Sequence, residues 1–400
     1  MSFELKALKD ICTIQIGKTP SRHESDYWRD GTHAWLSIAD MNQGRYLNNT
    51  KEYITDLGVK ASNIKLIPKN TLVLSYKLSI GKVGITQKPM YTNEAIASLT
   101  ELDSQVDINY LYWALQHIDL LENADRAAMG KTLNKAKLSE VKIPLPPLAE
   151  QRRIASILDQ ADELRQKRQQ AIEKLDQLLQ ATFIDMFGDP IDNLKGLETV
   201  ALLDLCKKVT DGTHQSPKWT TEGIPFLFIS NIVDGEIDYS SQKFIDQVTY
   251  DSLTKSTKIE LNDILYTTVG SYGNVARVKS DQLFCFQRHI AHIKPDFDKI
   301  NPKFLEKMLS SYGVRRQADR LVRGVAQKTL NLKDLKEIIV FNISLDEQNY
   351  FVQKCEVIES LKIKSKLALN QADDLFKSLQ NQAFNGTSFE NLRYKDSYEI

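Results

Sequence analysis

Cysteine is scarce and scattered. Cys12, Cys206, Cys285 and Cys355 are the only four in 400 residues, and no C-x-x-C pair occurs. That spacing excludes a disulfide framework and the usual thiolate zinc knuckle, and fits reduced, buried thiols. Net charge is also missing, with 52 Lys and Arg against 52 Asp and Glu. A uniformly basic coat is thereby excluded, but a local basic face is not. No apolar run approaches the roughly 18 residues needed to span a bilayer. The opening Met1–Lys6 carries no signal-peptide core. The expectation is a soluble, cytoplasmic protein with no membrane partner.

Catalytic signatures are absent too. Gly17-Lys18-Thr19 and Gly130-Lys131-Thr132 imitate the end of a phosphate loop. The upstream glycine that the full motif needs is replaced by Cys12 and Asp125. The Pro-Pro of an adenine-methyltransferase motif should follow Asn or Asp, whereas Pro146-Pro147 follows Leu145. A nuclease-like set of Pro295-Asp296, Asp334 and Lys336 can be drawn, but Lys336 aligns with Ser139 in the other half. His289 and His292 lie three apart on a strand-like stretch and so face opposite sides, which argues against a shared metal. No catalytic residue, metal ligand or cofactor is assigned. The pattern points to binding rather than chemistry.

An internal repeat is present. Ala7-Leu8-Lys9-Asp10-Ile11-Cys12 returns as Ala201-Leu202-Leu203-Asp204-Leu205-Cys206. Lys131-Thr132-Leu133-Asn134 returns as Lys328-Thr329-Leu330-Asn331, and Leu148-Ala149-Glu150-Gln151 as Leu345-Asp346-Glu347-Gln348. A repeat of nearly 200 residues is too long for a solenoid and reads as a duplicated domain. Each copy holds short β-like runs separated by turn signals: Trp35–Met41, Leu72–Tyr76 and Ala95–Leu99, then Pro225–Ile232, Ile264–Thr268 and His289–Ile293. One helix is expected in each, at Ile108–Ile118 and Pro302–Ser310.

Each copy ends in a long run free of Gly and Pro, Glu150–Phe187 and Glu347–Phe384. Ile154, Leu158, Ala161, Leu164, Ile172 and Phe183 mark an apolar stripe on the first. Phe351, Cys355, Ile358, Leu361, Leu369 and Phe376 mark one on the second. Both read as heptad-like seams that should pack on each other, most simply antiparallel. The fold class is therefore α+β: two β-rich modules related by an internal repeat and separated by two long coiled-coil-like helices. The boundaries are 1–149, 150–188, 195–343 and 344–386, with a tail over 387–400.

Positive charge gathers on the modules. Residues 299–336 carry ten Lys and Arg against Glu306, Asp319 and Asp334, and 124–142 carry five against Asp125 and Glu140. Such runs are usually solvated faces. Their recurrence in both copies favours a phosphate-contacting surface, with Lys131, Arg315, Arg316, Arg320, Arg323 and Lys328 as candidates. Polar loop pairs add candidates for base contacts. They are Thr19, Ser21 and Arg22 with Thr213 and His214; Ser75, Tyr76, Lys77, Ser79 and Lys82 with Thr267, Thr268, Ser271, Tyr272 and Asn274; and Asn93 with Gln287 and Arg288. Hydroxyl, amide and guanidinium groups suit groove readout. Ordinary turn chemistry is the bland alternative for each, and Thr132, Asn134, Thr329 and Asn331 read better as helix caps.

With the Lys-Thr-Leu-Asn segments, Pro144-Leu145-Pro146-Pro147-Leu148-Ala149-Glu150-Gln151-Arg152 and the Gly17-Lys18-Thr19-Pro20 opening, the whole chain resembles the specificity subunit of type I restriction-modification systems. The second copy keeps only the Leu-x-Glu-Gln core. The resemblance implies two target-recognition domains, each reading one half of a split site in double-stranded DNA. It also implies helices that hold these domains apart and dock two methyltransferase subunits, with ATP-driven restriction subunits joining the assembly. Two other readings stand beside it: a self-contained DNA methyltransferase or nuclease, and a protein-binding adaptor.

Overall fold

A computed structural model describes residues 3–77, 79–120, 125–127, 130–214, 216–256, 258–324 and 327–384. The tail 387–400 lies outside the described residues. The chain divides into two compact units, Met1–Gln169 with Leu367–Ile400 and Gln170–Lys366.

The first unit is built on a five-stranded sheet in the order Thr13–Ile16, Ile96–Thr100, Leu72–Ser75, Val83–Thr86 and Tyr46–Leu47. All four residues of Leu72–Ser75 and of Val83–Thr86 are buried, as expected of strands covered on both faces. A three-stranded sheet of Glu52–Ile54, His33–Leu36 and Tyr91–Thr92 takes strands interleaved with these along the chain. The second unit repeats the plan with Cys206–Asp211, Ile290–Pro295, Ile264–Thr267 and Val275–Arg277, and a three-stranded sheet of Phe244–Ile245, Ile224–Leu227 and Cys285–Phe286. In both, the first strand of the module pairs antiparallel with the strand leading into the long helix. Leu5 faces Pro144 in one copy, and Thr199 faces Phe341 in the other. The ends of each module are thus tied together at the root of its helix.

The crossing helices run over Ile108–His117 and Pro302–Leu309. Asp107 and Asn301 cap them by accepting two backbone N–H bonds each, and a proline at the first position starts the second. The long helices span Leu148–Phe187 and Leu345–Phe384, 40 residues each and so about 60 Å at about 1.5 Å per residue. Within the first unit the start of one meets the end of the other: Ile154, Ala155 and Leu158 share a core with Phe376, Leu379 and Ala383. Within the second, Phe183 and Phe187 share a core with Phe351 and Cys355. The pairing is antiparallel, as expected.

Two expectations need correction. The seam is not purely helix on helix, because both helix ends also enter the cores of the modules, alongside Tyr110 and Trp113 in one and Phe304 and Phe341 in the other. Leu164 and Leu361, placed on the stripe, stay 41% and 47% exposed. The runs Trp35–Met41 and Pro225–Ile232 are not single strands either. The strands stop at Leu36 and Leu227, and single helical turns follow over Asp40–Gln43 and Ile229–Asn231. Buried Asp40 causes the first break, accepting from the N–H and Oγ–H of Ser37 and from the N–H of Lys51. Asn231 does the same in the second copy, accepting from the Phe228 N–H and donating to the Asp238 and Ser240 carbonyls. A buried polar side chain that satisfies several turn groups outweighs strand propensity there.

Candidate nucleic-acid interface

Loops far apart in sequence are stitched together at one edge of each unit. In the second unit the Thr213 N–H donates to Phe286 O and the Arg288 N–H to Thr213 O. Thr268 N–H donates to His289 O, Leu330 N–H to Thr268 O and Gly270 N–H to Lys328 O. Arg323 and Thr329 exchange a pair of backbone bonds. The candidate segments 213–214, 267–274, 287–288, 323–324 and 327–328 therefore form one surface. A hollow of about 290 Å³ opens on it, lined by Asp211, Thr268, Arg288, His289, Gln327 and Asn331 among others. In the first unit the same stitches recur: Lys18 N–H to Thr92 O, Tyr76 N–H to Ala95 O and Leu133 N–H to Tyr76 O.

Side chains at this edge fall into two groups. Exposed ones are Ser21, Arg22, Ser79, His214, Ser271, Arg288, Arg320, Arg323 and Lys328. Half-buried ones are Thr19, Lys77, Lys82, Asn93, Thr213, Asn274 and Gln287. Some already hold partners. Arg22 forks onto Glu52 and lies 3.8 Å over the Trp28 ring. Thr19 donates to Glu94, and Lys82 donates to the Asn42 side chain. His214 pairs with Asp211 at 2.9 Å. Arg323 faces Asp334 at 3.7 Å while its side chain remains 74% exposed, a contact that water and salt screen strongly. Burial and the neighbouring Arg288 charge hold the His289 imidazole below its ordinary pKa, so it is neutral at pH 7. The Lys131 side chain lies outside what the structure describes, although its backbone pairs in the hairpin of Asp125–Ala127 and Gly130–Thr132.

Five candidates, Ser75, Tyr76, Thr267, Thr268 and Tyr272, are corrected by burial, and Arg315 and Arg316 already hold internal partners. Ser75 and Thr267 are fully buried and close the same turn in each copy. Each hydroxyl donates to a carbonyl four residues on (Ser79, Ser271) and accepts from the N–H seven residues on (Lys82, Asn274). Thr268 donates to His289 O, and the Tyr76 hydroxyl donates to Glu94 O. Tyr272 is buried and donates to Asp319, which also holds Arg315 at 3.0 Å. Arg316 turns inward to Asp189 and Asp192 at the loop leaving the first long helix. The buried hydroxyls fix loop shape, whereas Arg315 keeps 43% of its side chain exposed beside Asp319.

The family model described as the type I restriction modification DNA specificity domain matches residues 2–174. The EcoBI specificity subunit of Escherichia coli is 28% identical over 330 residues, covering 75% of this chain and 69% of that protein. The MjaIX specificity subunit of Methanocaldococcus jannaschii is 28% identical over 269 residues, covering 62% and 61%. A solved structure from work on complex assembly and conformational transition of the type I system aligns over 96% of this chain and 98% of its own, with a TM-score of 0.62 at 16% identity.

Residues 2–174 thus match the type I specificity domain, and the chain is similar to type I specificity subunits over most of its length.

No cluster of three or more His, Cys, Asp or Glu that could hold a metal occurs among the described residues. Nor is any described helix long and apolar enough to cross a membrane. Sequence reasoning missed several residues that build the edge. Gly17 and Gly212 owe their place to close approach: a Cβ there would sit 2.2 Å from Thr92 O and 2.3 Å from Phe286 O. The imitation of a phosphate loop at Gly17-Lys18-Thr19 is thus a packing glycine beside a polar loop. Buried Asp40 and Asn231 were likewise legible only as an aligned polar pair. His292, set aside as a metal ligand, is buried on Asp263 at 2.6 Å, with Lys294 also on that carboxylate at 2.9 Å.

Proposed function

We propose that this chain is the non-catalytic sequence-specificity subunit of a type I restriction-modification enzyme. Each module, 1–149 and 195–343, reads one half of a bipartite target in double-stranded DNA, and the helices 150–188 and 344–386 set the undefined spacer. The observation that carries this reading is the loop edge built twice by the same backbone stitches, with exposed Arg288, Arg320, Arg323 and Lys328 crowded on the second copy. Cations of this kind neutralise phosphates, while the exposed hydroxyls and amides beside them suit base edges. Arg22, Lys82, Asn93, His214, Ser271, Asn274 and Gln287 remain base-contact candidates.

Partners are part of the reading. Val357, Leu361 and Ile363 are 63%, 47% and 68% exposed on the second long helix, and Leu178 is 49% exposed on the first. Apolar groups in such number on a helix pair suit a protein partner. Two adenine methyltransferase subunits are assigned to them, with ATP-dependent restriction subunits joining through those, in the cytoplasm beside the DNA.

The test is to co-express the chain with its methyltransferase partner and sequence methylated adenines genome-wide. A two-part motif with an undefined spacer is expected. Methylation or cleavage by the purified chain alone would favour a self-contained enzyme, and indifference of the assembled complex to DNA sequence would favour a protein adaptor.

A further inference from the structure

Gln151 and Gln348 are fully buried, and each uses every hydrogen-bonding group of its amide. Gln151 Oε1 accepts from the Asp107 N–H at 2.9 Å, and its Nε2 donates to Gln105 O and Pro146 O at 2.8 Å each. Gln348 Oε1 accepts from the Asn301 N–H at 2.7 Å, and its Nε2 donates to Lys299 O at 3.0 Å and Ile343 O at 2.8 Å. The partners correspond one for one. Asp107 and Asn301 are the caps of the crossing helices, Gln105 and Lys299 lie two residues before them, and Pro146 and Ile343 lie in the segments leading into the long helices. A second link sits at the next position: Arg152 faces Asp107 at 3.7 Å, and Asn301 donates to the Asn349 side chain at 2.8 Å.

The surrounding sequence does not repeat so closely. Pro-Leu-Pro-Pro-Leu-Ala in one copy stands against Phe-Asn-Ile-Ser-Leu-Asp in the other. The preceding glutamates differ in their bonds as well, Glu150 holding Arg153 and Glu347 holding Ser344. The glutamine side chain, by contrast, makes the same bonds in both. A primary amide alone offers one acceptor and two fixed donors in a plane, so it joins three backbone segments where a carboxylate or a methylene chain cannot.

We infer that Gln151 and Gln348 are positioning residues that set the angle of each recognition module on its own long helix, and so determine how sharply the enzyme selects spacer length. This rests on the bipartite-target reading. The two fail separately in one experiment. The full chain, assembled with its methyltransferase partner, is assayed on duplexes carrying the two half-sites at the native spacing and at one and two base pairs either side. The wild-type complex should fall at least tenfold in affinity one step from the native spacer; a flat profile would overturn the bipartite reading itself.

Gln151→Met and Gln348→Met keep length and apolar bulk but remove the joint. Their preference for the native spacer over its neighbours should drop severalfold while base preference within each half-site stays unchanged. A uniform loss of affinity at every spacer, with selectivity intact, would show a merely structural role and overturn the inference. Asn349→Ala removes only the outer link and should broaden selectivity in the same direction by a smaller factor. Should the Met variants fail to assemble, an unchanged spacer profile for Asn349→Ala overturns the inference alone.

Discussion

Truncating Phe183 tests whether the end of the first long helix belongs to the core of the second module. Its ring is 2% exposed and meets rings from four directions. Centroids lie at 5.3 Å from Phe187 on the same helix, 6.0 Å from Phe304 on the crossing helix, 6.4 Å from Phe341 on the terminal strand and 5.5 Å from Phe351 on the second long helix. Phe→Ala in such a site costs about 3–5 kcal/mol from lost transfer energy and the cavity left behind. At about 1.4 kcal/mol per decade, the slowest-exchanging amides of residues 170–366 should lose about two to three and a half decades of protection in hydrogen exchange. The amides of the first unit should keep theirs. Leu178→Ala, at a 49% exposed site on the same helix, should change protection by less than about one decade. Equal loss in both units after Phe183→Ala, or a drop below tenfold, would refute the placement of this helix end in the module's core.

Other expectations can be measured more simply. Arg288→Ala and Lys328→Ala should each lower the slope of log affinity against log salt by about 0.9, whereas inward-facing Arg316→Ala should leave it unchanged; equal slopes for all three would count against the assignment of the edge. Matched four-residue insertions between Arg165 and Asp176 in one helix and between Lys362 and Asp373 in the other add about 6 Å to each. At about 3.4 Å per base pair, the undefined spacer should grow by about one to two base pairs with both half-sites unchanged, and an unaltered spacer would deny the helices their role as a ruler. Burial pushes the thiols of Cys12, Cys206 and Cys355 up to about 12, and that of Cys285 up to about 11. At pH 8 iodoacetamide should therefore leave the native chain unmodified and label all four cysteines in denaturant; native-state labelling at any of them would contradict that burial.

The repeat, the crossing helices and the long helices were legible in the sequence because each has a local cause. Asp107 and Asn301 announce helix starts, and a run without Gly or Pro from Glu150 to Phe187 needs no tertiary help to be read as helix. Aligning the two copies also selected the loops that meet at one edge, since segments kept in the same order around similar strands return to the same place. What local chemistry does not contain is which atoms from elsewhere in the chain arrive beside a side chain. Ser75 and Ser79 are the same residue type on one turn, yet the first is enclosed and bonded to the backbone while the second faces water. Arg316 and Arg320 lie one helical turn apart in a basic run, and only the return of Asp189 and Asp192 draws the first inward. Gln151 and Gln348 read as the tail of a motif until the crossing-helix caps met their amides. Polar side chains take their roles from desolvation and from partners distant in sequence, and those are decided only when the strands, the crossing helix and the long helices close on one another.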